Sequence, residues 1–331
     1  MPRYIAGRLL GLVCILLAIC FFTFAIFFWL SPDPALAVCG KTCTPLRISE
    51  IRQALGLGQP FVTQFWDYVR GIFAGRDYGS GADLVHCSAP CLGYSFQSSQ
   101  NVWQMITQRL PVTVTVAAGA AVLWLLIGII AGVISGVREG TWWDRAAMFV
   151  TLGGASIPSY VLALVLQFVL VVKLQWLPFP GNVGFLPDPG LWFESYLMPW
   201  IVLALGYACL YARLTRSNVI DTMSENFMRT ARAKGLPPGL ILRRHALRPA
   251  LTPVVTIFGM DFAGLLGGAL IVETVFGLNG LGQLTEQAIA SNDQPVIMGV
   301  TLLAAAFTVI GNLVVDILYT YLDPRVRITA S

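Results

Sequence analysis

Long apolar runs separated by shorter polar stretches organise this chain. Six runs stand out: Leu9 to Leu30, Val112 to Gly136, Ala146 to Val172, Leu197 to Tyr211, Thr252 to Val272 and Val296 to Tyr321. Most reach the roughly 18 to 25 residues that a helix needs to cross about 30 Å of hydrocarbon. Only a segment that bonds its own backbone can shed hydration there, so each run predicts a helix. The first run has a short basic start like a signal peptide. Its apolar stretch exceeds that of such a leader, and no small-residue cleavage site clearly precedes Ser31-Pro32, so it is read as an anchor. The pattern predicts an all-α integral membrane protein with six transmembrane helices and a large extracytoplasmic loop between the first two. Residues 1–30 form a cytoplasmic start and first span, 31–111 the outer loop region, and 112–331 a five-helix core with a polar loop at about 212–249.

Composition sharpens the class. Of 331 residues, 56% are hydrophobic and 11% charged, more apolar surface than one water-soluble core could bury. The formal net charge of +4 is unevenly placed. Arg3, Arg8, Arg138, Arg145, Arg213, Arg216, Arg229, Arg232, Lys234, Arg243, Arg244, Arg248, Arg325 and Arg327 fall on the side that holds both termini, whereas the loop Glu273 to Pro295 has no Lys or Arg. Basic residues stay on the cytoplasmic side during insertion, so both termini are expected there. The long outer segment exceeds the roughly 60-residue limit of that rule and barely contributes. No basic stripe interleaved with aromatics is present, which sets nucleic acid aside.

The outer segment from about Ser31 to Arg109 is too long and mixed for a simple connector, and Phe61 to Phe73 has the pattern of an amphipathic helix. It contains two C-x-x-x-C pairs, Cys39 with Cys43 and Cys87 with Cys91. Disulfides persist outside the cytoplasm, and three pairings are open to four cysteines. A four-thiolate zinc site and free thiols are the other readings, the former at a less usual ligand spacing.

The loop at about 212–249 reads RLTRSNVIDTMSENFMRTARAKGLPPGLILRRHALRPALTP from Arg213. A short helix is expected through Glu225 to Lys234. Gly235 can take the left-handed conformation that ends a helix, and Pro237-Pro238 cannot continue one, so a second helix should follow a turn. Taken alone, this is a basic loop obeying topology.

Its segment RTARAKG, Arg229 to Gly235, resembles the EAA motif of ABC importer permeases in the form found in the dipeptide/oligopeptide/nickel group. Upstream ARLTRSNVID and downstream HALRPALTP resemble the flanks of that motif. Further similar stretches are SIPSYVLALVL from Ser156, GGALIVETVFGLNGLGQL from Gly267, LGLGQPFVTQFWDYVRGIFAG from Leu55 and NLVVDILYTYLDPRVR from Asn312, the last resembling the closing signature of the group's first permease subunit. The chain departs from the group around Cys39 to Cys43 and Arg76 to Cys91, which look like insertions, and at Asn279 and Gln294, where the group often has Pro and Tyr; at Arg229 generic importer permeases have Glu.

The resemblance implies an inner-membrane subunit in a bacterial envelope, paired with a second homologous permease, two ATPase subunits or domains and an extracytoplasmic solute-binding protein. Short peptides are the implied cargo, with nickel or another small solute the alternative. It further implies that Phe227, Met228, Arg229, Ala231, Arg232 and Lys234 form a coupling helix seated in an ATPase groove, with Gly235 as its turn. ATP and Mg would be held by the partner subunits, and no cofactor or metal by this chain. No complete G-x-x-x-x-G-K-[ST] loop occurs: Gly40-Lys41-Thr42 ends the pattern, but Ala35 stands at its first glycine.

Acids in lipid are costly, so Asp261, Glu273 and Asp316 are expected to face the bundle or a water-filled path, Asp261 and Glu273 as candidates for the path. Gly264, Gly267 and Gly268 leave room for close helix packing or for a gate. A stand-alone secondary transporter would need broken helices in matching halves, a pattern not found here. A membrane enzyme would have only His86 and His245 for imidazole chemistry, too little for a His-carboxylate or His-Cys arrangement.

Overall fold

The structure, a computed structural model, describes residues 2–30, 35–36, 44–54, 56–78 and 84–322. It is a helical membrane protein. Four helices are long and apolar enough to cross a bilayer: Val102–Val137, Pro189–Ser224, Pro238–Leu266 and Gln294–Ile317. Shorter apolar helices occupy Leu10–Ile26 and Ser159–Lys173. Every predicted apolar run therefore lies on helix, with bounds that differ for physical reasons. Leu197 to Tyr211 is the lipid-like middle of a 36-residue helix, Pro189–Ser224, whose polar ends continue the same backbone bonding. The predicted single span Ala146 to Val172 is two helices, Trp142–Ser156 and Ser159–Gln167, the second running on as a π-helical turn. Between them Ile157 is extended, as the residue before Pro158 is biased to be. The run Thr252 to Val272 likewise breaks after Leu266, and a new helix begins at Leu270.

The chain forms two compact units. One comprises residues 1–113, 266–270 and 279–310. The helix Phe61–Ala74 buries Phe65, Tyr68 and Val69 against Cys20 and Phe24 of the first helix and Met298 and Leu302 of the last, the inner face expected of its amphipathic pattern. Two antiparallel pairs follow, Arg76–Tyr78 with Val85–Cys87 and Tyr94–Ser95 with Gln100–Asn101. Neither pair was legible in the sequence. Tyr78 stacks on Tyr94, and Phe96 meets both edge-on, beside the Cys87–Cys91 disulfide. A second apolar cluster joins Val102 and Ile106 to Leu281, Leu284, Val296 and Val300.

The other unit comprises residues 114–265, 271–278 and 311–331. Its core is the helix Val102–Val137 against Pro189–Ser224. A Cβ at Gly128, Gly132 or Gly136 would fall 2.6, 2.5 or 2.9 Å from the Cβ of Tyr211, Thr215 or Val219. Glycines four residues apart thus form one face that lets two backbones approach, the device membrane helices use in place of a hydrophobic driving force.

Candidate functional site

The loop helix is Asn226–Ala233. It is set off from Pro189–Ser224 by one extended residue, Glu225, and ends in a turn where Gly235 has φ +72°. The Leu236 amide donates to the Ala231 carbonyl at 3.4 Å and the Gly235 amide to that of Arg232 at 3.0 Å. That pair of bonds is the Schellman closure, which needs a left-handed residue at this position. A Cβ on Gly235 would meet nothing within 4 Å, so the demand for glycine is conformational and not steric.

The helix has two faces. Met228, 0% exposed, and Ala231 pack with Ile241 and Ala246, edged by Met223, Leu236 and Leu242. Phe227, 47% exposed, lies outside this cluster, as do Arg229, Arg232 and Lys234. Phe227 and Met228 were both expected as apolar knobs toward a partner. In the structure Met228, together with Ala231, fills the chain's own cluster, because residues three apart share a helix face. Arg232 Nη2 donates to the Met223 carbonyl at 3.4 Å, which ties one cation back to the preceding helix.

Near this loop the structure holds a clamp absent from the sequence expectations. Arg216 donates through Nε and Nη2 to the two oxygens of Asp144 at 2.7 and 2.8 Å. Ser135 and the Gly140 amide, the latter at 3.0 Å, complete the shell of the carboxylate. The Arg216 guanidinium first, with Ser135 and Gly140 behind it, holds the Asp144 carboxyl well below the usual carboxylate range despite burial. The clamp joins three helices at Ser135, Asp144 and Arg216, and only its partnership across 72 positions reveals it. An acid within one turn of a helix start beside several arginines was the available signal.

Among the intramembrane candidates, Asp261 is part-exposed and its Oδ2 accepts the Tyr211 hydroxyl at 2.8 Å. Gly264, one turn on, is exposed, and a Cβ there would meet no atom within 4 Å. Close packing within the chain is therefore not its role. Glu273 is fully buried within the chain. Gly267 and Gly268 lie in the break between helices, and Gly268 has φ +121° with its would-be Cβ 2.7 Å from the Gly282 amide nitrogen. Gly268 is thus a backbone-crossing position. Asp316 is part-buried.

Cys87 and Cys91 are joined, their Cα atoms 5.6 Å apart. Cys39 and Cys43 lie outside the described residues. Among the described residues no group of three or more His, Cys, Asp or Glu side chains could hold a metal.

Residues 125–328 match the family model described as "Binding-protein-dependent transport system inner membrane component". Residues 1–117 match the one described as "Binding-prot-dependent transport system membrane comp, N-term". A Brucella abortus (strain 2308) protein, provisionally named a peptide transport system permease protein, is 37% identical over 327 residues, 99% of each chain. The glutathione transport system permease protein GsiC of Escherichia coli (strain K12) is 35% identical over 327 residues, again 99% of each. Among solved structures, a chain of the MetNI methionine ABC transporter in an inward-facing form aligns with a TM-score of 0.55 at 19% identity, over 67% of this chain and 97% of that one. That likeness speaks for the fold.

Proposed function

Since this chain belongs to the family of binding-protein-dependent transport system inner membrane components, we propose that it forms half of a translocation path for short peptides handed over by an external solute-binding protein. The chain is a membrane-embedded permease subunit of an ABC importer, and ATP hydrolysis belongs to separate subunits of such systems. Relatives named for peptide and for glutathione, itself a tripeptide, support a peptide cargo. A second homologous permease and two ATPase subunits carrying ATP and Mg complete the assembly in the bacterial inner membrane, with both termini cytoplasmic.

The observation that carries the coupling part of this reading is the two-faced helix Asn226–Ala233. Met228 and Ala231 lock it to its own loop while Phe227, Arg229, Arg232 and Lys234 remain for a groove with an acidic rim. A push on the exposed face reaches the bundle through Glu225 and the adjoining 36-residue helix. Asp261 and Gly264, three residues apart and neither buried within the chain, form a strip of the path.

The test is gentle detergent purification from the source cells, mass spectrometry of the companions, and peptide uptake after reconstitution. Recovery of a second permease, ATPase subunits and a binding protein, with ATP-dependent uptake of a tripeptide, is expected. Transport by the chain alone would overturn the reading.

A further inference from the structure

Asp261 sits in the helix segment Pro238–Leu266, long and apolar enough to cross a membrane. Among the described residues no ammonium or guanidinium pairs with it; its partner is the Tyr211 hydroxyl. Aromatic rings pack together next to the Tyr211 side chain that bonds it. The Trp124 and Tyr207 centroids are 4.6 Å apart, Trp124 lies 6.1 Å from both Tyr211 and Phe258, and Phe258 stacks on Phe262 at 5.6 Å. Trp124 and Tyr211 are wholly buried, while Asp261, Tyr207, Phe258 and Phe262 are part-exposed. A Cβ added at Gly206, next to Tyr207, or at Gly264, three residues on from Asp261, would meet nothing within 4 Å.

A carboxylate at this depth excludes a lipid tail and repels an anion. Ring faces carry negative quadrupole charge, so beside a carboxylate they favour one chemistry, a compact organic cation. We propose that Asp261, with Tyr207, Phe258 and Phe262, is a subsite for the ammonium group of the transported solute. The inference rests on the reading of the Asp261 face as part of a peptide path, and it adds which end of the peptide that face engages. The Tyr211 hydroxyl aims the carboxylate and is its positioning residue.

The probe is tetramethylammonium, a cation of ammonium shape with no peptide bond. Proteoliposomes carrying the whole complex, supplied with binding protein and ATP, are assayed for uptake of tri-alanine. The ion is expected to inhibit uptake at concentrations that leave tri-alanine capture by the binding protein unchanged. Asp261→Asn and, separately, Tyr207→Leu should each raise the half-inhibiting concentration more than about fivefold, the scale of a cation–aromatic contact. An equal response of wild type and both variants would overturn the subsite while peptide import itself survived. Loss of the second permease from purified Asp261→Asn complexes would overturn it in favour of an ion pair between subunits. Failure of the wild-type complex to import any peptide would remove the path reading and the subsite together.

Discussion

The loop around Asn226–Ala233 and the segment from Arg76 to Asn101 are held in opposite ways. The second is stapled: a disulfide, a cluster of Tyr78, Tyr94 and Phe96, and a Ser95 hydroxyl on Asp293 fix short strands that could not persist alone. The first has no covalent staple. A cluster of a few apolar side chains holds an eight-residue helix between an extended residue and a glycine turn. The first region is thus held by side-chain packing and its turn alone, the second by a covalent bond as well.

Changes in both regions test this contrast. The largest expected effect is on the clamp behind the loop. Arg216→Met leaves Asp144, 7% exposed, as a buried charge without its partner, at a cost of about 3 kcal/mol measured by thermal unfolding in detergent. Because the folded Asp144 carboxyl is depressed, its stabilisation is fully present above the ordinary carboxylate range near pH 4 and is lost as pH falls toward the folded value. Wild-type stability from this pair should thus be flat between about pH 8 and 5 and decline only in acid, and the variant should lack that acid-side loss.

Next, Met228→Ala empties a fully buried site and should cost about 2 to 3 kcal/mol, with substrate-stimulated ATPase activity falling in the assembled complex. Phe227→Ala, on the exposed face, should change stability by less than about 0.5 kcal/mol while weakening retention of the ATPase subunits. Third, replacing Cys87 and Cys91 by Ser should cost about 2 kcal/mol and raise amide exchange in the hairpin, with exchange in Asn226–Ala233 unchanged. If exchange rose equally in both regions, the contrast between them would be wrong. Gly235→Val should cost about 1 to 2 kcal/mol, less than the buried and covalent changes, for a branched residue at φ +72°. Transport should fall while insertion persists, and Gly235→Asn should retain more activity because Asn tolerates that conformation better. Unchanged uptake by the valine variant at normal expression would remove the coupling role of the turn.

The sequence carried the helices and the turn because both have local causes. Apolar length marks a span, and Gly235 before Pro237-Pro238 marks a helix end. The breaks after Ser156 and Leu266 escaped because hydropathy averages over a window that an interruption of two or three residues hardly changes. Pro158 and the pair Gly267-Gly268 were their local marks. The two-stranded pairs escaped because pieces of two or three residues have no readable alternation. The face of Met228 could not be settled locally either, since the cluster that claims it comes from Ile241 and Ala246, beyond the turn. The aromatic cluster of Trp124, Tyr207, Tyr211 and Phe258, joined to Asp261 through the Tyr211 hydroxyl, unites three separate helices, and only the fold brings it together.

The central claim is that the exposed face of Asn226–Ala233 seats in an ATPase subunit. A photo-activatable amino acid at Phe227, and in a second variant at Met228, followed by irradiation of intact membranes and mass spectrometry of the adducts, tests it directly. The account predicts an adduct to the ATPase subunit from position 227 and only intramolecular adducts from position 228. An ATPase adduct from 228 and none from 227, or none from either in an assembled and active complex, would contradict it.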